Sequence, residues 1–412
     1  MVHLLFFLLL PFLLFSQSLR VASYNVENLF DMHHDKSEYA AYIPYKHNWI
    51  PTILNKKLTH IAEVICETDA TIIGLQEIEN LNALKLLQQH LKRYGCSYPY
   101  RAITHTPQSA IQVALLSRLP IEYAKDLVVT HARGIRNILE VKFRLEGEDL
   151  IIFVNHWNSK RAPNAKRLRS AKRLKRRLDQ LSSGVSYLLM GDFNLNYNDP
   201  ILLDTLEAGR VFVKQNYNLW FEFPIYRRWS HNFYGNKQAL DAIIVGSALV
   251  DGKGLEYLKD SFYVLKKPYL FHKKGYILRW SYQQGRHRGI GYSDHLPVVA
   301  TLTTKVPFRE EQTILKKGKI KQLLNPASLS LPLYLESVKV IKRSKEKVTI
   351  AQEGFEIPIY GIDQPLKLGR VYDLIVYKRQ LYQGSYEVVD FSIENSYDTT
   401  QKRRQDVGKL LQ

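Results

Sequence analysis

Five short motifs combine acidic, amide and imidazole side chains at points where strand-like runs end or begin. They are Asn25-Val26-Glu27-Asn28, Gln76-Glu77, Asn155-His156-Trp157-Asn158, Gly191-Asp192-Phe193-Asn194 and Ser293-Asp294-His295-Leu296-Pro297. Carboxylates placed where neighbouring strands stop can converge on one rim of a sheet sandwich. Carboxylate and amide oxygens are hard ligands that suit Mg²⁺, Mn²⁺ or Ca²⁺ and not a thiophilic metal. The motifs therefore predict a divalent-cation site at such a rim.

The elements that must position these motifs alternate over residues 19–304. Strand-like runs are predicted at 19–23, 71–75, 112–116, 138–143, 150–155, 186–190, 239–245 and 297–304. Apolar residues at helical spacing predict helices over 58–67, 81–94 and 164–181. Many strands with only a few helices favour two sheets packed face to face, with helices outside them.

Taken in order, the five motifs resemble those of the endonuclease/exonuclease/phosphatase family, over roughly residues 19–304. The Gly-Asp-Phe-Asn and Ser-Asp-His-Leu-Pro motifs are the most specific of the five. The resemblance implies an α+β fold, a four-layer αββα sandwich of the DNase I-like kind. It also implies metal-dependent hydrolysis of phosphoesters.

The resemblance assigns a metal shell to four residues. Glu77 matches the principal metal-binding glutamate of the family, and Asn25 and Asp294 match its neighbours. Glu27 is expected to contribute through water. Mg²⁺ is the expected ion, with Mn²⁺ and Ca²⁺ as alternatives.

Catalytic roles follow from the same resemblance. Asp192 matches the carboxylate that orients or deprotonates the attacking water, and Asn194 matches the amide that holds the phosphate. His295 is expected to contact the phosphate, and Asp241 matches the acid that pairs with it. Such a pair should raise the pKa of the histidine and favour its charged form. A structural cap is the alternative role for Asp241.

His156 separates branches of the family, because the DNase I and sphingomyelinase branches carry histidine there and the abasic-site nucleases carry tyrosine. The sequence therefore favours the first two branches. Asn158-Ser159 replaces the usual Pro-Ser after His-Trp, so the phosphate-binding asparagine is Asn158 or a residue one position away.

The charge balance favours an acidic partner. The chain of 412 residues has 58 Lys and Arg against 39 Asp and Glu, a formal net charge of +19. Hydrophobic residues make up 45% and charged ones 24%, which excludes a disordered or collagen-like chain. A strongly basic surface attracts nucleic acid, anionic lipid headgroups or acidic glycans.

Two basic stretches adjoin the motifs. Ten of the 18 positions at 160–177 are Lys or Arg, and residues 259–288 interleave basic with aromatic side chains. Cations contact phosphates and rings stack on bases, so both stretches favour a nucleic-acid groove. The predicted substrate-binding residues are Asn158, Lys160, Arg161, Arg279 and Arg288. The alternatives are a solvated helix face for the first stretch and ordinary core aromatics for the second.

The N-terminal residues point to export, which would place the two cysteines in an oxidising compartment. Residues 1–18 resemble a signal peptide, because their apolar run is too short for a membrane span of roughly 20 residues and ends in small residues. A buried N-terminal strand is the alternative. Cys66 and Cys96 could pair in an oxidising compartment or remain two separate buried thiols. The expected location is periplasmic or secreted.

The C-terminal part reads as a separate β region. Residues 305–332 are basic and strand-poor and are predicted to be a linker. Five short strand-like runs over 333–397 favour a small all-β domain, with an OB-like barrel as the first choice. Residues 398–412 form a basic tail. We expect this region to serve polyanion binding more than the turnover of small esters.

These features predict an exported, metal-dependent phosphodiesterase, most simply a nuclease acting on DNA or RNA. A sphingomyelinase or other phospholipid phosphodiesterase is the alternative, and it would need an exposed apolar hairpin. A basic nucleic-acid-binding module with a dead site is the second alternative, but the five motifs are all present.

Overall fold

Short apolar strands build two seven-stranded sheets that pack face to face. The computed structural model describes residues 18–397, apart from 108, 132, 146, 212, 310–313, 328 and 362–365. The predicted leader, except Ser18, and the predicted basic tail lie outside the described residues. Within the described part, no helix is both long and apolar enough to span a membrane.

The first sheet carries the Asn25 and Glu77 motifs. Its strands are β1 (Ser18–Leu29), β2 (Ile72–Ile78), β3 (Tyr100–Ile103), β4 (Gln112–Ser117), β14 (Glu256–Tyr257), β15 (Tyr263–Val264) and β18 (Val298–Thr303). Their order is β14-β18-β1-β2-β4-β3, and β15 also pairs with β18. β1 runs parallel to β2 and antiparallel to β18. The Asp294 motif enters this sheet immediately before β18.

The second sheet carries the His156 and Asp192 motifs. Its strands are β5 (Tyr123–Leu127), β6 (Ile138–Leu145), β7 (Glu148–His156), β8 (Ser186–Asp192), β9 (Ala208–Gly209), β10 (Asn216–Asn218) and β13 (Asp241–Val245). Their order is β5-β6-β7-β8-β13-β10-β9. Two small hairpins stand outside the sheets: β11 (His231–Phe233) with β12 (Asn236–Gln238), and β16 (Tyr282–Gln283) with β17 (Arg286–His287).

Helices cover the outer faces of the sandwich. They are α1 (Pro51–Thr68), α2 (Leu81–Arg93), α3 (Asn164–Leu178) and, before the barrel, α4 (Ile320–Leu323). Shorter helical turns are Ala40–Tyr42, Ile201–Thr205, Leu219–Glu222, Ile225–Arg227, Ser247–Leu249 and Pro268–Leu270. Side chains of α1 and α2 pack on the first sheet in one core, and the leucine stripe of α3 packs with the second. The predicted αββα sandwich is confirmed.

A disulfide joins the ends of the two helices on the first sheet. Cys66 lies in the last turn of α1 and Cys96 follows α2 closely, with their Cα atoms 5.8 Å apart. That distance lies within the usual range for a disulfide. Of the two possibilities that the sequence left open, pairing is the one found.

Replacing both cysteines by serine is expected to lower the free energy of unfolding by roughly 3–4 kcal/mol, because the bond closes a long loop in the unfolded chain. The two residues are 30 positions apart. Urea denaturation with and without reductant measures the effect. The wild type in reductant should approach the double variant, and equal midpoints in all samples would contradict the expectation.

The C-terminal region is all-β, as predicted. Its strands are β19 (Lys316–Gly318), β20 (Leu333–Arg343), β21 (Lys347–Gln352), β22 (Phe355–Tyr360), β23 (Val371–Tyr382) and β24 (Ser385–Tyr397). The order β20-β21-β22-β24-β23 closes through pairing of β23 with β20. The β22–β24 pair is parallel and the β20–β23 pair antiparallel. A five-stranded barrel closed in this order has OB-fold topology.

The stretch predicted to be a linker contains ordered elements. β19 pairs with β20 in parallel, and α4 buries Ile320 and Leu323 in the barrel core. The sequence Lys316-Lys317-Gly318 has no apolar alternation, because this strand is joined to the barrel edge through its backbone.

Candidate active site

Strand register brings the predicted residues of the second sheet side by side. His156 at the end of β7 pairs with Asp192 at the end of β8, and Asp192 pairs with Asp241 at the start of β13. In the first sheet, Asn25 pairs with Gln76, the neighbour of Glu77. The same rim of the sandwich therefore carries groups from both sheets.

Unusual backbone conformations turn the chain at this rim. Gly191 has φ +137°, and a Cβ there would lie 2.0 Å from the carbonyl oxygen of Asn155, so only glycine fits beside β7. Glu77 and Asn194 adopt left-handed φ values of 67° and 52°. Such conformations are unfavourable for residues other than glycine and cluster at functional sites.

Asn25 joins the two sheets. Its Nδ2 donates to Oε1 of Glu77 at 3.1 Å and to Oδ2 of Asp192 at 3.2 Å. Its Oδ1 accepts from the backbone N–H of Glu27 at 3.0 Å. Asn25 is fully buried, so these bonds fix the separation of the two carboxylates.

Asp192 receives several N–H donors. The backbone N–H of Asn194 donates to Oδ1 at 2.8 Å, and Nδ2 of Asn194 donates to Oδ2 at 3.0 Å. Burial raises the pKa of Asp192 to about 7, against the opposing charge of His295. A carboxylate with a pKa near neutrality, held in one orientation, is suited to accept a proton from water.

His295 and Asp241 form the predicted pair. Nδ1 of His295 lies 2.8 Å from Oδ2 of Asp241, which also accepts from the hydroxyl of Ser230 at 2.6 Å. Nε2 of His295 lies 3.9 Å from Oδ2 of Asp192 and 3.9 Å from Oδ1 of Asp294. Burial alone would lower the pKa of His295, but these three carboxylates raise it well above the ordinary value. His295 therefore presents a cation at the rim.

His156 is the neutral histidine of the site. Its Nε2 lies 3.7 Å from Oε1 of Glu77 and 3.6 Å from Oδ2 of Asp192. Burial, together with the charges of Arg136 and His295, lowers its pKa well below the ordinary value. The two histidines thus differ in charge because only His295 has its own buried carboxylate partner.

The donor set at the rim fits a hard divalent cation. Glu77 and Asp294 supply carboxylate oxygens, whereas Asn25 faces Glu77 with its donor Nδ2 and uses Oδ1 to accept from the backbone N–H of Glu27. Burial raises the pKa of Glu77, and repulsion from the neighbouring Asp294 charge raises it further. Against the effect of burial, the cations His295 and Arg279 lower the pKa of Asp294. A bound cation would relieve this repulsion.

Glu27, predicted to reach the metal through water, is hydrogen-bonded to Arg279 and to the backbone of Trp280. Its Oε1 accepts from Nε of Arg279 at 2.9 Å and from the second guanidinium nitrogen, and its Oε2 accepts from the backbone N–H of Trp280 at 3.0 Å. Arg279 also lies 3.4 Å from Oδ2 of Asp294. Glu27 therefore orients Arg279, which also contacts Asp294.

The other predicted substrate-binding residues are dispersed. Lys160 is exposed near Asp192 and Asp199. Partial burial of its ammonium group lowers its pKa, and the charges of the two carboxylates oppose that effect. Arg161 and Arg288 are exposed, and Arg288 lies on the β16–β17 hairpin. Nδ2 of Asn158 donates to the carbonyl of Gly134 at 2.7 Å.

Part of the basic α3 surface serves the fold. Arg177 pairs with Glu140 of β6 at 2.8 Å, and Lys175 pairs with Asp179 and Glu207. The guanidinium of Arg167 is directed to backbone carbonyls of residues 158 and 159. The exposed cations along this stretch are Lys160, Arg161, Arg169, Lys172 and Arg176. Only that subset is free to face a polyanion.

Three further residues at the rim have no sequence signal. Arg136 donates from Nε to the carbonyl of His156 at 2.9 Å, and the charges of Glu77 and Asp192 act on it. Ser230 binds Asp241, and the ring of His231 lies 5.0 Å from that of His295. All three belong to loops or to a three-residue strand, where no periodic pattern marks them.

The raised pKa of Asp192 makes the stability of the protein depend on pH and on Mg²⁺. Since the folded pKa of Asp192, about 7, exceeds its ordinary value of 3.8, the folded protein binds this proton more tightly than the unfolded chain. Metal-free stability should therefore fall as the pH rises from about 4 to 7. Mg²⁺ competes with protons, so it should raise Tm more at pH 8 than at pH 5.5. Thermal scans in EDTA and in Mg²⁺ measure this; an equal rise at both pH values would contradict it.

Comparison with known proteins identifies the family. The model of the Endonuclease/Exonuclease/phosphatase family matches residues 20–304. This chain belongs to that family, and the resemblance found in the five motifs is confirmed. No curated protein matches the chain.

Solved structures of the same fold are similar at low identity. D. rerio TDP2 humanised by 14 mutations is 15% identical, with a TM-score of 0.48 over 70% of this chain and 100% of that one. D. rerio TDP2 complexed with a single-strand DNA product is 14% identical, with a TM-score of 0.48 over 70% and 99%. A family protein from Bacteroides thetaiotaomicron is 17% identical, with a TM-score of 0.45 over 70% and 98%.

Proposed function

We propose that this protein is an exported, divalent-metal-dependent phosphodiesterase that cleaves nucleic acid, with Mg²⁺ or Mn²⁺ as its cofactor. One observation carries the proposal: both sheets deliver complementary groups to a single rim. Asn25 and Glu77 come from the first sheet, and His156, Asp192 and Asp241 from the second. His295 completes the set with a positive charge held by a buried carboxylate.

The residues divide the chemistry between them. Asp192, oriented by Asn194 and Asn25, accepts the proton of the attacking water. His295, kept charged by Asp241, donates a hydrogen bond from Nε2 to a phosphate oxygen. Glu77 and Asp294 would hold a divalent cation, which would supply Lewis-acid stabilisation of the phosphate charge. Neutral His156 offers Nε2 as a further polar contact between Glu77 and Asp192.

Three neighbouring aromatic rings beside the site support a nucleic-acid substrate. The ring of His231 lies 6.4 Å from Phe233 and nearly parallel to it, and Phe233 is 4.7 Å from Tyr234. Phe233 and Tyr234, at the tip of the β11–β12 hairpin, are 49% and 77% exposed. Exposed rings leading away from a phosphate-binding histidine are suited to stack bases of a single strand.

The second basic stretch contributes less than its sequence indicated. Tyr263, Tyr269 and Phe271 pack against the α1–α2 core, and Trp280 is buried within it. The core-aromatic alternative therefore holds for most of these rings. Tyr282, on the β16–β17 hairpin, is the large exposed ring of this stretch in the described part of the chain.

A phospholipid phosphodiesterase is the second candidate, and the same hairpin is the observation in its favour. An exposed tip with two aromatic side chains could also enter a lipid headgroup layer. The polar and basic surroundings of the tip favour a polyanion in water: Lys237 is exposed on the hairpin, and exposed Lys274 precedes Gly275, whose carbonyl accepts from Nδ2 of Asn232 at 3.2 Å.

Plasmid nicking and single-strand cleavage in Mg²⁺ or Mn²⁺ test the proposal, with sphingomyelin vesicles and bis-p-nitrophenyl phosphate in parallel. DNA or RNA cleavage that disappears in EDTA is the expected result. Hydrolysis of the lipid without cleavage of either nucleic acid would replace the first candidate by the second. Activity on no phosphodiester would overturn both.

Phe233→Ala combined with Tyr234→Ala is expected to raise KM for a single-stranded oligonucleotide by about tenfold, because one stacked base contributes roughly 1–3 kcal/mol. Turnover of bis-p-nitrophenyl phosphate should stay within twofold of the wild type. Tyr382→Ala, which removes another exposed ring (56%) from the barrel, is the matched control. An unchanged oligonucleotide KM would show that the hairpin does not bind bases.

Export is proposed on two grounds. The first is the signal-peptide pattern of residues 1–18, and the second is the Cys66–Cys96 disulfide, a bond that is rare in reducing compartments. N-terminal sequencing of the protein recovered from culture medium and periplasm tests the cleavage site. A full-length N-terminus on protein retained inside the cell would contradict export.

A further inference from the structure

Residues 225–231, here named the connecting segment, run from the C-terminal barrel to the catalytic histidine. Ile225 at one end is 5% exposed and packs in the barrel core. His231 at the other end forms a β-bridge with His295. Seven residues therefore join the barrel to the rim, and each end is held by specific contacts.

A buried ion cluster holds the barrel end. Oδ1 of Asp390, on β24, lies 2.7 Å from a guanidinium nitrogen of Arg210 and 2.8 Å from one of Arg228. The side chains of Asp390 and Arg228 are 3% and 1% exposed. Nε of Arg228 also donates to the carbonyl of Phe223 at 2.9 Å. Removal of one member would leave buried charge without its partner, which is strongly destabilising.

Close packing adds to the ion cluster. The hydroxyl of Tyr226 donates to Gln380 at 3.4 Å, and its ring lies 5.4 Å from that of Tyr360. Gly361 has φ +73°, and a Cβ there would lie 2.6 Å from Cβ of Tyr226. A side chain at this point would clash with Tyr226, so the barrel packs closely on the connecting segment.

Ser230 holds the catalytic end. Its hydroxyl donates to Oδ2 of Asp241 at 2.6 Å and accepts from the backbone N–H of Asp241 at 3.2 Å. Its carbonyl accepts from the backbone N–H of Leu296, the residue after His295, at 2.9 Å. Ser230 is fully buried. Ser230 therefore contacts Asp241 directly and contacts the backbone next to His295.

We propose that Asp390 is a positioning residue for the His295–Asp241 pair, acting through Arg228 and Ser230 of the connecting segment. The barrel is then part of the catalytic unit and not a detachable polyanion-binding module, contrary to the expectation from sequence. The inference rests on the proposed phosphodiesterase function, which sets the reaction that the pair serves.

Asp390→Asn and Ser230→Ala test the two ends of this connection with bis-p-nitrophenyl phosphate, a substrate too small to reach the barrel. Both are expected to lower kcat by at least about tenfold with KM within twofold, since small displacements of catalytic groups are costly. Asp390→Glu, which keeps the charge, should recover part of the loss. Glu353→Gln removes an exposed ion pair of the barrel with Lys319 and should change nothing. All assays are run well below the Tm of each variant.

A spectroscopic measurement separates positioning from general stability. The Nδ1 proton shared by His295 and Asp241 should give a far-downfield line in proton NMR, assigned by its absence in His295→Gln. Asp390→Asn and Ser230→Ala should shift or broaden that line, whereas Glu353→Gln should not. A lower Tm with kcat and the line unchanged would overturn the inference. If Asp390→Asn does not fold, Asp390→Glu and Ser230→Ala decide by the same criteria.

The NMR line also distinguishes this inference from the proposed function. A wild-type protein that hydrolyses no phosphodiester would refute the proposed function. The response of the line to Asp390→Asn would still report whether the barrel holds the histidine pair.

Discussion

Asp192→Asn is expected to lower kcat for phosphodiester cleavage by about 10³-fold, a typical effect of removing a positioned base. Asparagine keeps the size of the side chain but cannot accept a proton from water. The hydrogen bonds from Asn194 and Asn25 that orient the carboxylate make its position specific. Since the substituted group accepts the proton, the loss should appear in kcat, with KM little changed.

Glu256→Gln is a matched control for this variant. Glu256 is also a buried acid, 1% exposed, but it pairs with Thr303 at the end of β18 remote from the rim. It should retain wild-type kcat even if Tm falls. Wild-type turnover by Asp192→Asn would refute the assignment of the base, and an equal loss in both variants would point to misfolding.

The αββα sandwich is largely predictable because its core strands are short apolar runs. The predicted runs at 112–116 and 186–190 lie within strands of the structure, and the run at 71–75 begins one residue before β2. Small elements such as β9, β14 and β19 escape detection, since two or three residues carry no periodicity. They pair through their backbones at sheet edges, where side-chain pattern has little influence.

The site residues that lie within motifs can be predicted from the sequence. Those that lie in loops cannot. Asn25, Glu77, Asp192 and Asp294 lie in motifs, and strand register alone places His156 beside Asp192. Arg136 lies in a loop, and the connecting segment consists of one short helical turn, a loop and the first residue of β11. Their position depends on tertiary packing, in one case on a barrel more than 150 residues away in sequence.

The availability of basic side chains also cannot be predicted from the charge balance alone. A count of basic residues cannot tell Arg177, which pairs with Glu140, from Arg176, which is exposed. Ion pairs with acidic residues of other strands and helices determine which basic side chains remain available to a polyanion. The sequence indicates an acidic substrate, whereas the structure reduces the candidate contact surface to the rim, the exposed residues of α3 and the β11–β12 hairpin.

Asp241→Asn is expected to lower kcat by roughly 10²-fold or more and to make the loss larger as the pH rises. The Asp241 carboxylate offsets the burial that would otherwise lower the pKa of His295. In the variant this contribution is lost, so the pKa of His295 falls and the phosphate loses its cation at a lower pH than in the wild type. The measurement is a kcat–pH profile on bis-p-nitrophenyl phosphate in saturating Mg²⁺.

The sign of the shift distinguishes this role from a structural one. Loss of a charged His295 moves the high-pH limb of the profile to lower pH, whereas simple destabilisation lowers kcat equally at every pH. Glu140→Gln is the control, because it also removes a buried carboxylate. The partner of Glu140 is Arg177, and the pair lies on the far side of the second sheet. A profile in Asp241→Asn that keeps the wild-type limb would show that Asp241 caps the loop without charging the histidine.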